Sequence, residues 1–134
     1  MPVTFRFKEE KSPIFGTVRR PTALTYFKHQ TAEIWQPVTM IVDTGADYTL
    51  LPKFLALLLG VNLTKESRKI MTQGVGGSTS VFLLKEKIQV RIGQLERWIP
   101  LGFLNTDYIP PLLGRQEFFE TFKVVFERYQ VTFA

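Results

Sequence analysis

The sequence predicts an all-β fold with short helices, and three features carry that expectation. Apolar and polar residues alternate at period two through Val3-Thr4-Phe5-Arg6-Phe7, and again where Ile88, Val90 and Ile92 are interleaved with Lys87, Gln89 and Arg91, as in half-buried strands. Short runs rich in β-branched residues, Val38-Thr39-Met40-Ile41-Val42 foremost, read as buried strands. Proline and glycine punctuate the chain at strand-sized intervals, for example at Pro13, Pro21, Pro37, Gly60 and Gly93.

With 134 residues, 45% of them hydrophobic and 13% aromatic, the chain has the material for one packed domain, expected to span 1–134. Cysteine is absent, which excludes disulfides, thiolate metal sites and thiol catalysis. His29 is the one histidine and, between Lys28 and Gln30, reads as an exposed polar residue, so neither a metal nor a cofactor is expected. The first seven residues are too polar for a signal peptide, and the apolar patch 54–61 is too short to cross a bilayer. A soluble, cytoplasmic protein without a membrane partner is the expectation. The 17 basic and 12 acidic residues leave a net charge of +5, a balance that can suit nucleic acid. Here, however, Arg19-Arg20, Lys65, Arg68-Lys69, Lys85, Lys87, Arg91 and Arg97 are scattered, with no aromatic interleaving for base stacking. They read as a solvated surface, and no nucleic-acid partner is expected.

Taken in order, residues 3–7 open the chain as a half-buried strand, and the polar stretch 9–13, ending in Pro13, predicts a turn. Strands follow at 14–19 and 23–27, broken by Arg20-Pro21, and then a strand pair at 34–35 and 38–42 split by Pro37. The apolar run 38–42 stops on Asp43, with Thr44 and Gly45 supplying a tight turn. An ionisable group at the end of a buried strand costs free energy unless it is hydrogen-bonded or functional, so Asp43 is a candidate site residue on that ground alone. Thr49-Leu50-Leu51 is strand-like, and Pro52 suits the first position of a helix over 52–59 closed by Gly60. Residues 63–71 are polar and mixed, extended towards their end.

Gly74-Val75-Gly76-Gly77-Ser78 precedes the strand-like run 81–84 and reads as a hairpin tip whose backbone can approach a ligand. A phosphate cradle is the competitor, but the strand-then-helix context and the Lys-Ser/Thr ending of such loops are missing. After the amphipathic strand around 88–92, Gly93-Gln94 turns the chain into the apolar segment 98–104 and the polar loop 105–107. Ile109-Pro110-Pro111-Leu112-Leu113-Gly114-Arg115 then predicts an apolar strand ending at Gly114 and leading into a short helix at about 116–122, with strands at 124–127 and 129–133.

Asp43-Thr44-Gly45-Ala46 after an apolar strand, a glycine-rich hairpin and the apolar-apolar-Gly114-Arg115 segment stand in an order that resembles the retroviral-type aspartic proteases, or retropepsins, and the retropepsin-like domains of cellular proteins. The resemblance spans most of the chain. It implies a single-lobe acid-protease barrel with Asp43 catalytic and Thr44 and Gly45 in support. It also implies substrate contacts from Ala46, Asp47 and Tyr48 and from the flap residues Gly74, Val75, Gly76 and Gly77. Gly114 and Arg115 would form a brace, with Arg115 bridging Asp47 in a buried or half-buried bidentate pair. Two positions depart from the family pattern: Tyr48 is bulkier than the usual residue, and Gln116 replaces Asp or Asn.

Peptide hydrolysis by carboxylates needs two of them about 3 Å apart sharing one proton, so that one activates water while the other polarises the carbonyl. A two-lobed protease carries both on one chain, whereas this chain has a single Asp-Thr-Gly. A symmetric homodimer supplies the second, bringing Asp43 against its mate. The expected function is therefore an aspartic endopeptidase acting on a peptide or protein substrate. Its rival is a non-catalytic retropepsin-like module for dimerisation or peptide binding, and a basic nucleic-acid-binding β domain ranks third.

Overall fold

The computed structural model describes residues 1–74 and 77–134. In chain order the strands are β1 (Val3–Arg6), β2 (Lys8–Ser12), β3 (Gly16–Arg20), β4 (Thr22–Lys28), β5 (Trp35–Val42) and β6 (Thr49–Pro52). Two short helices, α1 (Phe54–Leu58) and α2 (Leu63–Glu66), precede β7 (Ser67–Gly74) and β8 (Gly77–Leu84). Then come β9 (Ile88–Ile92), β10 (Leu95–Ile99), β11 (Leu101–Leu104), β12 (Leu112–Leu113), a 3₁₀ turn (Phe119–Thr121), β13 (Val124–Glu127) and β14 (Gln130–Phe133). The architecture is thus mostly β with short helices. Among the described residues no helix is long and apolar enough to cross a membrane.

One large sheet runs in the order β10-β9-β4-β5-β12-β6-β11-β8-β7, a smaller one in the order β1-β14-β13, and β2 and β3 pair only with each other. The period-two strands bury one face each: Ala23, Thr25 and Phe27 of β4 and Ile88, Val90 and Ile92 of β9 all point inwards. By contrast β11 is buried along its whole length, between β6 in parallel and β8 in antiparallel register, which is why it reads as a continuous apolar run. Phe118 meets Phe122 edge-on at 4.9 Å and Phe133 at 6.0 Å, so the 3₁₀ turn ties the small sheet into the same hydrophobic cluster as the large one.

The topology turns on β12. Strands β5 and β6 are consecutive, yet they do not pair; β12 lies between them, with Leu112 opposite Ile41 in parallel register and opposite Leu50 in antiparallel register.

Several local expectations are corrected. Residues 9–13 do not form a turn: Lys8–Ser12 is a strand without apolar residues, held by its ladder to β3 and by Arg20–Glu10 and Arg19–Glu9 ion pairs at 2.9 and 3.4 Å. The turn comes later, where Ser12 Oγ accepts from the amides of Ile14 and Phe15, so β3 starts at Gly16 and not at residue 14. Pro37 does not split a strand pair but sits inside β5, because β12 pairs only with Ile41 and Val42 and leaves the edge free where Pro37 lacks its N–H. Pro52 ends β6, and the helix begins two residues later, still closed by Gly60 at φ 71°. Residues 63–66 form a helical turn capped by the Asn62 carboxamide oxygen. The helix expected at 116–122 is replaced by turns and the 3₁₀ segment, since Glu117 takes a left-handed φ of 56° that an α-helix does not allow. His29 is half-buried, not exposed, and its Nδ1 accepts from the amides of Thr31 and Ala32 at 3.1 and 3.0 Å.

Candidate active site

Strand β5 delivers Asp43 to the surface as a half-buried carboxylate, and the chain then turns over residues 43–48 into β6. The turn is organised by the aspartate itself. Oδ1 accepts the Gly45 amide at 3.0 Å, and the Asp43 carbonyl accepts the Ala46 amide at 3.2 Å, an arrangement for which a short acidic side chain is well suited. Among the described residues Oδ1 is the one carboxylate oxygen engaged in this way.

The segment 111–116 locks the turn from behind, mainly through backbone. Ile41 N donates to Pro111 O at 2.9 Å and Asp43 N to Leu113 O at 3.0 Å. On the far side Arg115 N donates to Ala46 O at 3.0 Å and Gln116 N to Asp47 O at 2.7 Å. Gly114 fits beneath Tyr48 because it has no side chain: a Cβ there would collide with the Tyr48 carbonyl group. Its amide donates to the buried Thr49 Oγ1 at 3.2 Å, satisfying two polar groups away from water.

Arg115 reaches both ends of the turn, donating from Nη1 to Thr44 O at 3.1 Å and from Nη2 to Asp47 Oδ1 at 2.6 Å. The buried or half-buried bidentate bridge expected from the sequence is corrected in its geometry: the partners are Arg115 and Asp47, but the pair uses a single nitrogen, and the side chains remain 49% (Arg115) and 79% (Asp47) exposed within the chain. Such an ion pair contributes at most about 1 kcal/mol, less than the several expected of a buried one. The backbone bonds hold the turn and the guanidinium trims it.

Opposite the turn, β7 and β8 form a hairpin in which Gly74 pairs with Gly77. Their strand-to-strand connection is not the strand-to-helix context of a phosphate cradle. Val75 and Gly76 lie outside the described residues. Between turn and hairpin is an open cleft of ≈ 630 Å³ that Asp43, Gly45, Ala46, Asp47, Tyr48 and Gly77 help to line. Thr44 is not in its wall, and neither are Gly114 and Arg115, which sit behind the turn. Four polar residues of the hairpin, Thr72, Gln73, Ser78 and Thr79, and four apolar ones, Leu50, Leu104, Ile109 and Leu112, complete the lining. Sequence reasoning does not assign these eight, which come from β6, β7, β8, β11, β12 and the loop before β12.

Tyr48 packs its ring edge where a side chain on Gly102 would otherwise stand. Its hydroxyl is buried, and among the described residues no group meets it in good hydrogen-bond geometry. Burial first, and the Asp47 charge second, raise its pKa above the usual 10.0, while the nearby Thr72 side chain pulls weakly the other way. No cluster of three or more metal-ligating side chains gathers among the described residues.

The cleft thus meets two carboxylates of the turn, Asp43 fixed through the Gly45 amide and Asp47 paired with Arg115, along with apolar side chains of β6, β11 and β12 and polar ones of the β7–β8 hairpin. The family whose pattern matches the chain is described as aspartyl protease, over residues 32–116, a span that holds the Asp43 turn, the glycine-rich hairpin and Gly114-Arg115. Among solved structures the chain is similar to a retropepsin-like aspartic protease from Rickettsia conorii, with 19% sequence identity over 98% of each chain and a TM-score of 0.69. At that identity the likeness shows the retropepsin-like fold. No curated protein sequence matches the chain.

Proposed function

The chain belongs to the aspartyl protease family, and from that premise we propose that it is an aspartic endopeptidase working as a homodimer, with one Asp43 from each subunit. The observation that carries this reading is Asp43 itself: the carboxylate at the end of β5, clamped through Oδ1 by the Gly45 amide and open to a peptide-sized cleft. A single carboxylate cannot both take a proton from water and donate one to the substrate carbonyl oxygen. Two across a two-fold axis can.

In the proposed reaction the ionised Asp43 removes a proton from a water held between the pair, and the water oxygen attacks the peptide carbonyl carbon. The protonated mate gives its proton to the carbonyl oxygen, forming a neutral tetrahedral diol. Collapse breaks the C–N bond as the amine nitrogen takes the proton of the protonated aspartate, while one diol hydroxyl re-forms the carbonyl and gives its proton to the other aspartate, leaving the pair sharing one proton again. Thr44 and Gly45 support this geometry by bringing the two turns close, with the exposed Thr44 reaching across. In this reading the substrate backbone is held by Ala46, Asp47 and Tyr48 and by the hairpin residues Gly74, Val75, Gly76 and Gly77. Gly114 and Arg115 keep the turn in place.

Cleavage of a peptide library by pure protein tests the proposal. Asp43→Asn, nearly isosteric but unable to exchange the proton, is expected to fold and dimerise normally and to show no cleavage. Adding excess Asp43→Asn chains to wild type, with subunit exchange verified, is expected to lower activity well beyond dilution, because most wild-type chains then face an inactive mate. Activity retained by Asp43→Asn would refute the assignment. Constant activity per wild-type chain after exchange would refute the shared site. Peptide binding without cleavage by wild type would favour the non-catalytic module.

A further inference from the structure

The β13–β14 hairpin is built against its own sequence. Glu127 pairs with Gln130, so the turn has two central residues, Arg128 and Tyr129, and both lie in the left-handed region at φ 47° and 62°. Asn-Gly or Asp-Gly would adopt this turn with little strain, whereas the Cβ of an arginine and a tyrosine crowds the following carbonyl oxygen. Strain kept at two adjacent positions calls for a reason in what those side chains do.

Their surroundings supply it. Phe7 N donates to Tyr129 O at 2.8 Å, and the Phe7 ring meets the Tyr129 ring edge-on at 6.2 Å, which fixes the turn against the start of the β2–β3 arm. From the arm, the Arg19 guanidinium lies 4.7 Å from the centre of the Tyr129 ring. Arg6, Phe7, Glu9, Arg19, Arg128 and Tyr129 enclose a hollow of ≈ 300 Å³ that shares no residue with the Asp43 cleft. Three of the six are arginines, and the one carboxylate, Glu9, is already paired with Arg19 at 3.4 Å. Among the described residues neither Arg6 nor Arg128 has a carboxylate partner.

We propose that this hollow binds a phosphate monoester, with Arg6 and Arg128 donating N–H pairs to its oxygens and the Tyr129 ring forming a wall for the organic part. Arginines that line one hollow repel one another, and an anion of charge near −2 with oxygens on several sides relieves that repulsion better than a carboxylate does. Exposed to water, the site should bind weakly and lose affinity with salt.

The test is titration of the 134-residue chain, followed by NMR, with phenyl phosphate, orthophosphate and, as a control, benzoate. Flotation with phosphatidylcholine vesicles, with and without phosphatidic acid, asks whether the phosphate comes from a lipid headgroup. The variants are Arg6→Gln, exposed on β1, and the pair Arg128→Asn with Tyr129→Gly, which relaxes the turn. Phenyl phosphate is expected to bind at least tenfold more tightly than benzoate, and each variant to lose at least tenfold in affinity while the relaxed turn melts no lower than wild type. Vesicle binding that needs phosphatidic acid and is lost in both variants also supports the site and assigns its source. Equal affinity in wild type and Arg6→Gln, no preference over benzoate, or no binding of any phosphate probe would overturn it.

Discussion

Tyr48 shows how much one side chain can hold in tension. Its ring is used in packing against Gly102, yet among the described residues its buried hydroxyl has no well-placed partner, and a buried unpaired donor costs about 1–3 kcal/mol. Tyr48→Phe keeps the ring and removes the liability, so urea denaturation is expected to find the variant as stable as wild type or more stable by about 1 kcal/mol. Alkaline pH sharpens the comparison. An unfolded tyrosine ionises near pH 10, and burial followed by the Asp47 charge holds the folded group above that value. The stability due to the neutral phenol is thus complete below pH 10 and is lost as pH rises through the higher folded pKa. Melting curves should therefore fall more steeply above pH 10 for wild type than for Tyr48→Phe. Parallel curves would show that the hydroxyl is solvated after all.

At the scale of elements, the contact between the end of β12 and the 43–48 turn decides whether the site exists. Gly114→Ala puts a methyl group into the Tyr48 carbonyl, and neither backbone can yield without breaking the bonds on either side, so a loss of about 3 kcal/mol, the upper end of overpacking, is expected in denaturant titrations. Gly45→Ala is the control: its Cβ would meet Asp43 Oδ1 at 3.4 Å, an ordinary contact, and stability within the chain should barely change. The Asp43 turn and the Gly114-Arg115 segment were legible in the sequence because each is a contiguous motif, and β4, β5 and β9 because each puts alternate residues on the core. Other elements left no such mark. Lys8–Ser12 has no apolar residue and is a strand only by virtue of its partner β3, while Glu117 breaks a helix that local periodicity favours. The cleft residues Thr72, Ser78 and Leu104 are remote in sequence from Asp43, and which of them face it depends on sheet register, a property of the whole fold. The Arg115–Asp47 pair was legible as a partnership, but its exposure was not.

For the molecule as a whole, the seam between β5 and β6 has a consequence in time. These strands follow each other directly, but the slot between them is filled by β12, and the Gly114–Thr49 bond that closes it joins residues 65 positions apart. The β7–β8 hairpin and the β9–β10 pair need only local closure, whereas β12 must wait for a long loop to be ordered, and contacts of this kind form slowly. Pulse-labelled hydrogen exchange during refolding should therefore protect the amides of Ile41 and Asp43, which bond to Pro111 and Leu113, after those of β7 and β8; protection in the reverse order would show that β12 docks early. Late docking amounts to a built-in delay. If the chain cleaves peptides as proposed, assembly in this order leaves it no working turn while its own strands are still extended and open to cleavage, so a half-folded chain is spared by the same topology that later completes the site.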